Sequence, residues 1–257
     1  MRKKIIVITS GKGGVGKTTT AINLGAAINY FGKNVLIIDG NLSTPNVGIH
    51  LNSPEVPVSL NHVLSNKAEL HEAIYEHESG IKIIPSSLSI KELKKLRPEN
   101  MKNLKKDFKA MSDYILIDSA AGLGKEATSS IEAADELIIV TNPEMPAITD
   151  ALKTIKLAEQ MGIPVKGIII TRVKKNKSEM KPEVVKDMLE VPILGSIPED
   201  SAVQEALNFK DALVHTHPKS NSARAYKEIA SRLIDVEYDS NKDRPSIWIR
   251  MFSKRGY

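Results

Sequence analysis

The sequence predicts an α/β protein, a doubly wound and mainly parallel sheet with helices on both faces, and three observations carry that expectation. Short continuous apolar runs at 5–9, 35–38, 81–85, 114–117, 137–141, 165–171 and 193–197 recur along the chain. Runs without polar alternation belong to strands buried on both faces, as parallel strands are. Longer stretches with apolar residues at helical spacing separate most of these runs, the alternation that places helices over a parallel sheet. Two runs end on a carboxylate, Asp39 and Asp118, and in open α/β sheets the C-terminal edge of the strands is where ligands sit.

In chain order, residues 5–9 form the first strand and residues 19–31 the first helix, with Ala21, Leu24, Ile28 and Phe31 on one face. Gly32 ends that helix, because glycine takes the left-handed conformation of a C-terminal cap. Residues 35–38 deliver Asp39 to the sheet edge. Between 51 and 79 the pattern is short and helical, with Leu60, Val63 and Leu64 as one small apolar face and Ala73 with Ile74 as another. After the strand at 81–85 comes a very basic helical region, 91–111. Its Leu93, Leu96, Leu104 and Phe108 pack inward, while Lys94, Lys95, Arg97, Lys102, Lys105, Lys106 and Lys109 make a solvated face. The strand ending in Asp118 follows, then the strand at 137–141 leading into Asn142, Pro143 and Glu144, then a helix over 149–161. The strand at 165–171 runs into Arg172 and a basic loop, and the strand at 193–197 runs into Pro198, Glu199 and Asp200. A helix over 222–234, with Ala223, Tyr226, Ile229, Ala230 and Leu233 on one side, closes a single domain, 1–234. Residues 235–245 read as a linker and 246–257 as a separate tail.

Composition narrows the function. Of 257 residues, 41% are hydrophobic and 26% charged, an ordinary globular balance able to bury one sizeable core. There is no cysteine, which excludes disulfides, thiolate catalysis, cysteine-ligated zinc and iron–sulfur ligation together. A net charge of +5 admits an anionic partner, nucleic acid or lipid, without choosing between them. His50, His62, His71 and His77 show no His-x-x-x-His pair with a neighbouring carboxylate, so surface positions are expected of them and not metal ligation. No run approaches the ~18 apolar residues of a membrane span, and the apolar run behind the basic start is too short for a signal segment. A cytoplasmic protein, bound at most to the inner face of the cell membrane, is the expectation.

Ser10 to Thr19 reads Ser-Gly-Lys-Gly-Gly-Val-Gly-Lys-Thr-Thr. Four glycines so close together suit neither core helix nor core strand; they suit a tight loop whose backbone N–H groups turn onto an anion. Gly11, Gly16, Lys17 and Thr18 meet the pattern G-x-x-x-x-G-K-[ST] between a strand and a helix, the context a phosphate-binding P-loop requires. Lys17 belongs on the outer phosphates and Thr18 on Mg2+, with the N-terminus of the following helix adding partial positive charge.

Lys12, directly after the first glycine, makes Gly11, Lys12, Gly13, Gly14, Val15, Gly16, Lys17, Thr18 and Thr19 resemble the deviant P-loop of the MinD and ParA group of ATPases. The resemblance extends over about residues 3–234. It implies ATP and Mg2+ as cofactors and an ATP-dependent homodimer in which Lys12 reaches the phosphates held by the partner subunit. It implies further that Asp39 orients waters around Mg2+ at the head of a first switch loop, 39–46, and that Asp118 holds the ion through water ahead of a second. Pro198, Glu199 and Asp200 resemble the turn whose backbone lines the base pocket. Three positions depart from the family pattern. Asn41 stands where an aspartate usually acts on the attacking water, and an amide is a poor proton acceptor, so slow hydrolysis is expected. Ala120 stands where proline is usual, which loosens the second switch. Thr171, before Arg172, stands where an asparagine usually reads the adenine edge.

The tail changes character at Ser246. Ile247, Trp248, Met251 and Phe252 fall on one face of a short helix, with Arg250, Lys254 and Arg255 around it, a small basic amphipathic segment suited to an anionic membrane surface. MinD proteins carry their membrane-targeting sequence at this place. Complete burial of four large apolar side chains gives at most roughly 6 to 12 kcal/mol, and ordering a free tail costs about 1 kcal/mol or more per residue. One tail therefore holds weakly, whereas two on one dimer gain avidity of about 10² to 10⁴. The resemblance implies an ATP-controlled switch acting on an unnamed regulatory protein partner in cell division or spatial organisation. The alternatives are a ParA-like DNA-segregation ATPase using the basic stretches, and a nucleotide-binding scaffold with negligible hydrolysis.

Overall fold

A computed structural model describes residues 3–93, 96–174, 176, 178–240 and 243. Lys94, Lys95 and the whole tail with Ile247, Trp248, Arg250, Met251, Phe252, Lys254 and Arg255 lie outside the described residues.

The strands are β1 (Lys4–Thr9), β2 (Val35–Gly40), β3 (Tyr75–Glu76), β4 (Lys82–Ile84), β5 (Tyr114–Ser119), β6 (Glu136–Thr141), β7 (Val165–Val173) and β8 (Ile193–Pro198). They form one sheet in the order β3-β4-β2-β5-β1-β6-β7-β8. Every pair is parallel except β3 with β4, a short antiparallel edge that the sequence pattern did not announce. Successive side chains of a strand point to opposite faces. Ile6 and Ile8 of β1 accordingly enter one core layer and Ile5 and Val7 the other. The first layer is covered by α1 (Lys17–Tyr30), α10 (Leu213–Thr216) and α11 (Asn221–Leu233), the second by α3 (Leu60–Leu64), α5 (Lys105–Met111) and α6 (Lys125–Ala133). Helices α7 (Met145–Gln160) and α8 (Pro182–Leu189) cover β6 and β7, while α2 (Val47–His50), α4 (Ile90–Leu93) and α9 (Ala202–Asn208) are short connections.

Four expectations change. The basic region 91–111 is α4, a 3-10 helix over Pro98–Leu104 and α5, not one helix. Pro98 disfavours the helical conformation of the residue before it, and Arg97 sits at φ −122°, ψ 83°. Helix α7 starts at Met145, earlier than expected, because Pro146 falls in its first turn where no N–H partner is needed. His77 is not a surface residue: its side chain is 10% exposed, with Nδ1 2.8 Å from the Ser79 hydroxyl and 3.8 Å from Asp211. The stretch expected to be a linker is tied down where it is described. Tyr238 meets Phe31 edge to face at 5.6 Å, and Asp243 accepts hydrogen bonds from Lys227 and Tyr238, both at 2.7 Å. Lys227 is itself buried, and a buried ammonium requires a counter-charge.

Candidate nucleotide site

Parallel pairing brings the ends of β1, β2 and β5 together, because Ile8 and Asp39 are both register partners of Asp118. The loop leaving β1 therefore lands beside the two carboxylates. Gly14 and Gly16 hold it in the left-handed region, at φ +77° and +91°. At Gly11 a Cβ atom would lie 2.2 Å from the Asp150 carbonyl oxygen on α7, so only glycine lets the loop and that helix approach. Helix α1 begins at Lys17, directly below the loop.

Lys17 is buried, and its Nζ donates to the Ser10 hydroxyl at 2.9 Å; that hydroxyl donates to the Lys12 carbonyl at 2.6 Å. Burial lowers the Lys17 pKa, opposed by the charge of Asp118. Lys12 is exposed and its side chain has no partner among the described residues.

The two carboxylates differ. Asp39 Oδ1 accepts the Asn41 N–H at 3.2 Å, and Oδ2 accepts those of Asn46 and Val47, both at 2.9 Å. Burial and the charge of Asp118 push its pKa well above the usual carboxylate range, against these N–H groups. Asp118 Oδ2 accepts the Thr18 hydroxyl at 2.6 Å, while Oδ1 is buried without a partner among the described residues. Burial raises its pKa to about 6, opposed by the Thr18 bond and by Lys17. An orphaned carboxylate oxygen is costly, and beside a threonine hydroxyl it fits the hard oxygen set of Mg2+, which keeps waters and takes phosphate oxygens. Thr18 and Asp118 would hold the ion, and Asp39 would shape the loop beside it; bound there, Mg2+ neutralises charge on a polyphosphate. Asn41 is turned into its own loop, its Nδ2 donating to the Thr44 carbonyl at 2.6 Å and its Oδ1 accepting the Thr44 hydroxyl at 3.0 Å.

The second switch touches the P-loop through the Gly122 N–H, which donates to the Ser10 carbonyl at 3.0 Å. The carboxylate of Glu126, in the first turn of α6, accepts both the N–H and the hydroxyl of Ser43 and so ties the two switches together. Sequence reasoning missed Glu126, since an acid in a helix's first turn normally signals only the helix dipole.

On the other side of the P-loop lies a cavity of about 540 Å³ lined by Val15, Gly16 and Thr19 of the loop and helix start together with Thr171, Arg172, Pro198, Glu199 and Asp200 from the ends of β7 and β8. Gln204 and Tyr226 also line it, and nothing in the sequence marked Gln204 for that place. Thr171 has another task than facing a ligand: its buried hydroxyl donates to the Val15 carbonyl at 2.6 Å and pins the P-loop to β7. The basic stretch is partly neutralised within the chain, with Lys102 on Glu132 at 3.3 Å and Lys105 and Lys109 on Asp135 at 3.8 and 2.8 Å.

A parallel doubly wound sheet, a glycine-rich loop into a helix N-terminus and two carboxylates at adjoining strand ends define a P-loop nucleotide-binding protein. Residues 6–214 match the model of the CobQ/CobB/MinD/ParA nucleotide binding domain, and the chain belongs to that family, among the MinD/ParA P-loop ATPases. It is 38% identical over 250 residues to an ATP-binding protein of Methanocaldococcus jannaschii, covering 97% of this chain and 95% of that one. With the septum site-determining protein MinD of Bacillus subtilis it shares 30% over 237 residues, 89% of this chain and 88% of that one. The structure of MinD from Pyrococcus horikoshii complexed with Mg-ADP superposes with a TM-score of 0.86 at 34% identity, over 90% of this chain and 96% of that one.

Proposed function

We propose that this protein is a MinD-type ATPase switch. Mg-ATP draws two copies face to face, the dimer attaches through its tails to the anionic inner surface of the cell membrane, and slow hydrolysis releases it, positioning a regulatory protein partner. The observation that carries this reading is the pair of lysines on one loop. Lys17 is buried against Ser10 and serves its own site, whereas Lys12 stands exposed on the loop with no side-chain partner among the described residues, available to a phosphate held by another copy. Asn41, held by Thr44 on both sides of its amide, supports slow turnover. The bound root of the tail at Asp243 supports a fixed exit point for residues 246–257.

Co-sedimentation with anionic liposomes tests the proposal. Wild type is expected to pellet with ATP and Mg2+, to stay in solution with ADP, and to lose pelleting when residues 246–257 are removed. Pelleting indifferent to nucleotide, or surviving the truncation, contradicts it, and retention of DNA without lipid binding favours the DNA-segregation alternative.

A further inference from the structure

The base cavity beside the P-loop has an unusual distribution of free polar groups. Thr171, at the place where the resemblance expects an asparagine, is engaged with the Val15 carbonyl. The Tyr226 hydroxyl lies 3.2 Å from that of Thr20. Asp200 accepts the N–H groups of Ala202 and Ser222 at 3.1 and 3.2 Å, and Glu199 pairs with Lys174 at 3.0 Å. The turn's backbone is also occupied: the Pro198 carbonyl accepts the Ser222 hydroxyl at 2.9 Å, and the Glu199 N–H donates to the Val173 carbonyl at 3.0 Å. Two long side chains lining the cavity, Gln204 and Arg172, have no hydrogen-bond partner among the described residues.

Their chemistry is complementary. A carboxamide offers an acceptor and a donor side by side, which matches an amino group next to a ring nitrogen on the edge of adenine. A guanidinium is planar and stacks on aromatic faces whatever the edge carries. Arg172 also sits at φ +56°, a conformation uncommon for any residue but glycine, at the register break between Ile170 and Val173, just before β7 and β8 pair again at Val173 and Pro198. Backbone strain of this kind persists where the surroundings hold it, and such positions cluster at ligand clamps.

We infer that Gln204 reads the edge of an adenine base, in place of the asparagine absent at 171, and that Arg172 covers the ring. The inference rests on the nucleotide-binding reading of the site and extends it to the base. Specificity is thereby carried by α9, after the last strand, and not by the end of β7.

Isothermal titration of the full chain with Mg-ADP and with the diphosphate of purine riboside, which lacks the 6-amino group, tests it. Wild type is expected to bind ADP about tenfold tighter than the analogue, within the range one bidentate base contact carries. Gln204→Ala is expected to weaken ADP about tenfold and the analogue hardly at all, so that the variant no longer distinguishes them. Arg172→Ala is expected to weaken both alike. Gln204 is exposed and alanine favours helix, so the melting temperature should hold. An undiminished preference for ADP in Gln204→Ala, or an equal loss for both ligands, overturns the assignment. Failure of wild type to bind either diphosphate instead overturns the nucleotide reading beneath it.

Discussion

The loops that follow β2 and β5 begin in the same way and end differently. Each follows a buried strand closing on an aspartate, and Asp39 and Asp118 are direct register partners across β2 and β5. Asp39 is filled by its own loop, whose N–H groups at Asn41, Asn46 and Val47 occupy both its oxygens. Asp118 engages only one oxygen, with Thr18, and the other is buried without a partner among the described residues. The first carboxylate thus fastens its own loop, and the second, with one oxygen unengaged among the described residues, is the one whose chemistry fits a cation. Equal burial and equal chemistry do not make equal roles; the partners each oxygen already has decide them.

That contrast can be broken at three points. In the first switch, Asn41→Asp should raise steady-state ATP turnover by about 10², the lower end of what a placed general base contributes; no gain would mean that Asn41 does not limit turnover. In the second, Asp118→Asn should weaken Mg2+-dependent nucleotide binding about 10- to 100-fold, the usual cost of removing a carboxylate that orients a metal's shell, read by titration with and without Mg2+. The same variant should melt higher than wild type when ligand-free at pH 7.5. The folded-state pKa of Asp118 is raised from 3.8 to about 6, so its contribution to stability is fully present below pH 3.8 and is lost as pH rises through about 6. Removing the ionisable group removes that loss, and the variant's stability should lack this fall across the same window. Asp39→Asn should gain less in ligand-free protein, although burial and the charge of Asp118 raise the Asp39 pKa as well. An amide nitrogen facing the backbone N–H donors of its loop loses acceptor capacity worth about 1 to 3 kcal/mol and offsets that relief, so calorimetry should show this variant melting several degrees below Asp118→Asn. Two asparagine variants melting at the same temperature would erase the distinction between the two carboxylates.

Much of the phosphate side was legible in the sequence, because its constraints are local. Glycine spacing, the lysine and threonine after it, and apolar runs ending in aspartate are read within ten residues of one another, and the parallel register then assembles them. What was not legible depends on partners far apart in the chain. Glu126 finds Ser43 only because α6 starts beside the first switch, and Thr171 finds Val15 only because β7 ends under the P-loop. Gln204 belongs to a short helix whose sequence marks nothing but amphipathicity. Pro98, by contrast, is visible in the sequence, but the leucines at helical spacing continue through the break it makes in the basic stretch 91–111. The antiparallel β3 is two residues long, too short for any periodic signal.

The central claim is that Lys12 serves a second copy of the chain while Lys17 serves its own. Light scattering on a sizing column at saturating ATP and Mg2+ tests it most directly. Wild type should elute with the mass of two chains and revert to one with ADP, and Lys12→Ala should remain at one chain while still binding ATP. A wild-type protein that stays single with ATP, or a Lys12→Ala variant that pairs as readily as wild type, would contradict the account.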